Sequence, residues 1–205
     1  MLAIISPSKT QDFSQCDIDF YSQTRHLENS SELVSILKKK SQSQISKLMA
    51  LSEKLSKLNF DRFQKFKLPF NRDNAKQAIL AFKGDVYNGI DAPALSTDDL
   101  KFAQDSVRML SGLYGVIRPL DLIQPYRLEM GTKLSNSKGK DLYEYWGTEI
   151  SDVLNEDESE LIVNLSSNEY FKAVDKKILN AKVLDIVFKE KKGEVYKVIG
   201  IYAKR

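Results

Sequence analysis

Cysteine, histidine and tryptophan each occur once in this chain of 205 residues, and the first two scarcities each close off a class of function. With Cys16 alone, no internal disulfide can form, which fits a reducing cytoplasm. His26 is the only imidazole. A zinc site normally takes three or four N or S ligands, so His26 and Cys16 would supply at most half of one. The plain reading is two ordinary loop residues, and no metal site is assigned. A Ser-His-Asp triad would have a single possible base. No Glu-x-x-His pair occurs, so a di-iron store is not indicated. No apolar run is long enough to span a bilayer. Residues 1–10 carry no basic region ahead of their short apolar run, so they do not read as a signal peptide. Neither charge sign dominates: 31 basic against 28 acidic residues leave a formal +3. A nucleic-acid site would therefore have to come from local clustering. Internal repeats, low-complexity segments and linkers are absent as well.

What is present is enough for one core. Hydrophobic residues make up 42% of the chain, normal for a globular domain of this length. Residues 2–5 read as a buried strand and 8–27 as loop. Residues 29–66 read as helical throughout, with Ile45, Leu48, Leu51, Leu55 and Leu58 as one apolar stripe. The run Lys38–Lys40 reads as a favourable helix C-terminus rather than a DNA contact. A helix over 73–82 would take Asp73 as N-cap. Ser96 and Asp99 start another, with Leu100, Ala103, Val107 and Leu110 on its buried side and Gly112 as its stop. Residues 141–155 read as one helix burying Leu142, Tyr145, Trp146, Ile150 and Val153, followed by a solvated acidic loop at Asp157, Glu158 and Glu160. Residues 161–165 read as a buried strand, and 183–188 with 195–202 as a hairpin. The class is α/β, in the mixed α+β sense: a single domain with a mixed sheet flanked by helices.

The most informative stretch is RMLSGLYGVIRPLDLIQPYRLEMG at 108–131. It holds three of the nine glycines, two of the five prolines and three arginines among large apolar groups. Such a backbone is tightly shaped, and its guanidinium forks match phosphates and carboxylates. The Gly112-x-x-Gly115 turn has two readings. It exposes backbone N–H groups to a DNA phosphate, or it is a structural turn that packs Tyr114. The basic residues Lys9, Lys83, Arg108, Arg118, Arg127, Lys133, Lys138, Lys140 and Lys172 would form a phosphate-tracking surface if they converged. Polar turns at 6–10 and 164–169 offer a different site, for a small phosphorylated or carboxylated molecule, with Lys83, Asp85, Tyr87, Arg118, Arg127 and Glu129. Ser6 or Ser167 as nucleophile has no evident base, and Lys9 would serve as one only if desolvated. Arg127 and Glu129 read as an ion pair. Asp85, Asp121, Glu129 and Glu169 are the carboxylates that could reach iron. Trp146 reads as core and Tyr87 as the aromatic nearest a site.

LSGLYGVIRPLDLIQPYRLEMG resembles the central signature of the YaaA family of bacterial peroxide-stress proteins. Four further blocks agree in order: IISPSKT at 4–10, AILAFKGDVYNGI at 78–90, KDLYEYWG at 140–147 and VNLSSNEYFKAV at 163–174. The resemblance implies a cytoplasmic protein with a basic cleft and a helix-hairpin-helix-like element. It implies survival of hydrogen peroxide by limiting free intracellular iron, and binding of duplex or distorted DNA. Family members continue past a motif resembling YAKKARG, whereas this sequence stops at Arg205 inside it, so the family's C-terminal segment is expected to be missing here. On this basis DNA contacts are expected at Lys9, Lys83, Arg108, Gly112, Gly115, Arg118, Arg127, Lys133 and Lys172, in a monomer with no cofactor and no assigned catalytic residue. Arg118→Ala or Arg127→Ala is expected to abolish binding without loss of fold. The alternative is an enzyme or binder for a small anionic metabolite; a third possibility is action through a protein partner.

Overall fold

A computed structural model describes residues 1–16 and 18–197. In chain order the first half holds β1 (Leu2–Ile5), β2 (Thr10–Gln11), α1 (Leu27–Lys38), α2 (Gln42–Met49), α3 (Glu53–Lys65), β3 (Lys76–Gln77), α4 (Ala78–Ala81), β4 (Phe82–Lys83), α5 (Asp85–Ile90) and α6 (Thr97–Ser106). The second half holds β5 (Val107–Ser111), β6 (Gly115–Ile117), β7 (Leu122–Ile123), α7 (Leu142–Trp146), α8 (Glu149–Glu156), β8 (Leu161–Asn164), α9 (Asn168–Phe171), β9 (Lys182–Asp185), β10 (Glu190–Lys192) and β11 (Val195–Lys197). The fold is a mixed α/β domain around a five-stranded sheet ordered β6-β5-β1-β8-β9. Only β6 runs antiparallel to its neighbour; β5, β1, β8 and β9 pair in parallel. β1 is central, which explains its apolar sequence LAII: parallel strands covered on both faces cannot alternate with polar residues.

Several local expectations change, each for a physical reason. The region 29–66 is helical in three pieces, the first ending at Lys38 beside the basic run as expected. Ser41 closes a capping box with Gln44, and Ser52 caps the Leu55 N–H. Ala50 between them adopts a left-handed conformation (φ 50°). That break resets the helical phase, so the apolar stripe splits. Ile45 and Leu51 are buried, while Leu55 and Leu58 are exposed and α3 buries Ser56, Asn59 and Phe63 instead. Asp73 caps no helix; Asn71 accepts from its N–H in a turn, and Lys76–Gln77 then pair with β7. The helix begun by the Ser96–Asp99 capping box stops at Ser106 rather than at Gly112. Val107 to Ser111 instead form β5 beside β1, so Val107 and Leu110 are strand residues.

Two later segments also differ. Gly147 (φ 49°) divides the predicted helix 141–155 into α7 and α8. Residues 182–185 do not form the hairpin arm expected there. They extend the main sheet as β9, and the hairpin is β10–β11, turning at Gly193 (φ 65°). The expected strand residues 198–202 lie outside the described residues. Trp146, Tyr114 and Tyr145 are among the largest fully buried side chains. A smaller cluster around Ile79, Leu80, Ala92, Leu100 and Leu120 sits beside the main core.

Candidate functional site

In an open parallel sheet, ligands gather beyond the carboxyl ends of the strands where successive connections diverge. Here that point lies between β1 and β8. The chain leaving β1 reaches its neighbour β5 on one side, and the chain leaving β8 reaches β9 on the other. The two turns meet there: Ser6 Oγ accepts from the Ser167 N–H at 2.9 Å and lies 3.4 Å from Ser167 Oγ. Tyr87, buried on α5, donates its hydroxyl to Ser6 O at 2.8 Å. Tyr87 thus holds the turn from below, and no imidazole stands by either serine: His26 packs edge-on against Trp146, 3.9 Å from Glu149. Burial pushes the His26 imidazole below its ordinary range, with Glu149 opposing that shift.

Around this point the structure collects cations held by carboxylates. Glu129 receives Lys9 Nζ at 3.1 Å and Arg127 Nη2 at 2.9 Å. Burial pushes the Glu129 carboxyl up, but the hydrogen bonds and charges of Arg127 and Lys9 outweigh it and hold it below the usual range. Arg127 and Glu129 are therefore an ion pair, as their spacing indicates. Glu169 accepts the Gly131 N–H at 2.9 Å, and its own carbonyl accepts from Tyr143 Oη at 2.9 Å. Lys172 Nζ lies 4.7 Å from the centre of the Tyr143 ring, a cation–π contact. Lys83 is the register partner of Thr10, next to Lys9, and lies 3.9 Å from Asp12. Lys133 is exposed two residues beyond Gly131. Lys9, Lys83, Arg127, Lys133 and Lys172 are thus linked by contact or chain around one end of the sheet. The recess beside Lys9 and Arg127, lined also by Tyr126 and Tyr170, has an inner volume of about 10 Å³, room for about one water.

Four other expected contacts lie elsewhere. Arg108 is buried, with its guanidinium on Asp157 at 2.6 Å and on the carbonyls of Gln104 and Val107. Arg118 donates twice to the buried Asp121 carboxylate, at 2.9 and 3.1 Å. Arg118→Ala would leave that buried carboxylate with only the Ser22 hydroxyl and the backbone N–H of residue 118, so this variant would test folding as much as binding. Gly112 and Gly115 are buried in the β5–β6 turn, which joins two strands rather than two helices. A Cβ on Gly112 would sit 2.4 Å from Leu128 O, and one on Gly115 (φ 68°) 2.8 Å from the Trp146 ring. The Leu113 and Tyr114 N–H groups of the turn donate to Ser111 Oγ. Helical pairs with short turns in the described residues are α1–α2, joined through 39–41, α2–α3, through 50–52, and α7–α8, through 147–148.

Cys16 Sγ lies 3.8 Å from Gln77 Oε1, in the smaller cluster and away from His26. Among the described residues no three His, Cys, Asp or Glu side chains group closely enough to hold a metal ion. Asp157 is not in a solvated loop: its side chain is 6% exposed between Arg25 and Arg108. Sequence reasoning missed the recess tyrosines Tyr126 and Tyr170, and Gln11, which accepts from the Tyr126 N–H. Only the position of Tyr126 within the 108–131 segment hinted at it.

Residues 1–205 match the model of the family described as peroxide stress protein YaaA. The chain belongs to the YaaA family. Curated relatives agree over all of this chain. A UPF0246 protein of Albidiferax ferrireducens is 53% identical over 210 residues, 81% of its own length. One of Acaryochloris marina is 55% identical over 207 residues, 82% of its length. One of Idiomarina loihiensis is 52% identical over 211 residues, 81% of its length. Among the described residues no helix is long and apolar enough to cross a membrane.

For this YaaA family member the buried turn yields a prediction. Gly112→Ala is expected to lower unfolding free energy by about 1–3 kcal/mol through overpacking, because its contact is the Leu128 backbone. Urea denaturation measures that loss, with DNA titration of the folded variant in parallel. Parent-like stability with lost DNA binding would return the turn to the binding surface.

Proposed function

We propose that this peroxide stress protein binds duplex or distorted DNA, and that it limits iron-dependent damage to DNA indirectly rather than by storing iron. The observation that supports this reading is that Lys9 and Arg127 meet on Glu129 beyond the parallel sheet, with Lys83, Lys133 and Lys172 on segments tied to theirs. Exposed lysines there offer point charges to phosphates, and Arg127 offers a planar fork. Lys9 is available: its side chain is 63% exposed, so a phosphate competes with Glu129 for it at little desolvation cost. The recess holds little more than a water, so this end of the sheet suits a polymer backbone lying over it better than an enclosed metabolite.

The test is a titration with straight and bulged duplex DNA across a salt series. The parent is expected to bind with an affinity that falls steeply with salt, because each neutralised phosphate releases counterions. Lys9→Glu combined with Lys172→Glu is expected to weaken binding by at least about tenfold and to reduce the salt slope by about 2. Both residues are exposed, so the double variant keeps the parent's melting temperature. DNA binding that is absent in the parent, or unchanged in the double variant, removes this interface.

A further inference from the structure

A second cavity, larger than the recess just described, lies elsewhere. It has a volume of about 600 Å³ and is lined by residues 13–16, 72–77 and Pro125, sharing no lining residue with the recess. Its size falls in the range of small-molecule sites. Lys76 on its wall is 8% exposed. The ammonium donates to Asp12 O at 3.2 Å, while the Asp12 carboxylate accepts from the Ser14 N–H and feels the charges of both Lys76 and Lys83. Among the described residues no carboxylate pairs with Lys76. Burying a charge without a counterion is costly. Arg72, exposed on the same wall, donates from one guanidinium nitrogen to Cys16 O at 3.3 Å. Phe13, Ala75 and Pro125 supply apolar wall, and the Gln77 amide is held by the Ile18 and Phe20 carbonyls.

We propose that this cavity binds a small metabolite, of the size of a nucleoside monophosphate, that carries a phosphate or carboxylate group held by Lys76 and Arg72. The anion gives the buried ammonium a direct ion pair, which it does not have among the described residues, and the apolar wall takes the rest of the molecule. The inference is independent of DNA binding, since neither Lys76 nor Arg72 belongs to the basic rim. It also relocates the small-anion site that the turns at 6–10 and 164–169 suggest, where the enclosed space is too small.

The experiment is thermal unfolding of the full 205-residue chain with adenosine monophosphate, citrate or adenosine. Either anion is expected to raise the melting temperature in a saturable way, and neutral adenosine is not. Lys76→Met and Arg72→Gln are each expected to weaken the apparent Kd by about tenfold, the worth of one lost charge-assisted hydrogen bond. Arg72 is exposed, so its variant keeps the test open even if Lys76→Met does not fold. The proposal is overturned if neither anion stabilises the parent, if adenosine stabilises it equally, or if Arg72→Gln binds as the parent does.

Discussion

Asp157→Ala is expected to lower the free energy of unfolding by about 3–5 kcal/mol, because it leaves buried positive charge without a partner. The carboxylate is the meeting point of two guanidinium groups. Arg25 Nη2 lies 2.6 Å from one oxygen and Arg108 Nε 2.6 Å from the other. Those arginines come from the segment before α1 and from β5, while Asp157 caps the C-terminus of α8. A negative charge at a helix C-terminus is unfavourable by itself, so the ion pairs decide its presence there. Asp157→Asn keeps the shape but loses the charge, and is expected to fall between parent and Asp157→Ala. Denaturant unfolding near neutral pH measures all three.

The same site gives a pH dependence. Burial pushes the Asp157 carboxyl up, yet the hydrogen bonds and charges of Arg108 and Arg25 outweigh it and hold it below the usual range. A carboxyl depressed in the folded state contributes stability that is fully present above its unfolded pKa, about 3.9. That contribution is lost as pH falls through the lower, folded value. The parent should therefore lose more stability than Asp157→Asn between about pH 4 and the folded value. Parallel stability–pH curves for the two proteins would contradict this account.

Trp146→Ala is expected to cost about 3–5 kcal/mol, the range for emptying a buried aromatic site. Trp146 is fully buried, and it donates its indole N–H to Gly112 O at 3.1 Å. Its ring meets His26 and Tyr145 edge-on and lies beneath Gly115. The residue therefore joins α7 to the β5–β6 turn. Trp146→Phe keeps most of the volume but leaves the Gly112 carbonyl without its donor, a loss of about 1–3 kcal/mol. Chemical denaturation of both variants separates packing from hydrogen bonding. If Trp146→Phe proves as damaging as Trp146→Ala, the hydrogen bond rather than the packed volume dominates.

The two glycines show how far residue patterns carry and where they stop. Gly112-x-x-Gly115 announces a tight turn, and the turn is there. What the turn packs against is decided by Leu128, later in the same stretch, and by Trp146 of α7. Arg108, Arg118 and Arg127 look alike in sequence. Two of them are drawn onto the carboxylates of Asp157 and Asp121, and Arg127 shares Glu129 with Lys9 at the sheet end. A guanidinium takes the carboxylate that packing brings to it, and that partner is 49 residues away for Arg108.

The sequence by itself determined the family through five ordered blocks, the α/β class, the central strand at 2–5, and the helix starts at Ser96 and Asp141. These depend on nearest-neighbour chemistry, on apolar period and side-chain capping, which act within a few residues. Tertiary structure alone decided that 107–111 is a strand, since Val107, Met109 and Leu110 satisfy a helical stripe and a buried strand equally. Pairing with β1 breaks the tie. It also decided which lysines ring the sheet end and which cations lie beside the large cavity. Convergence of charges is a property of chain crossings, and no local spacing encodes it.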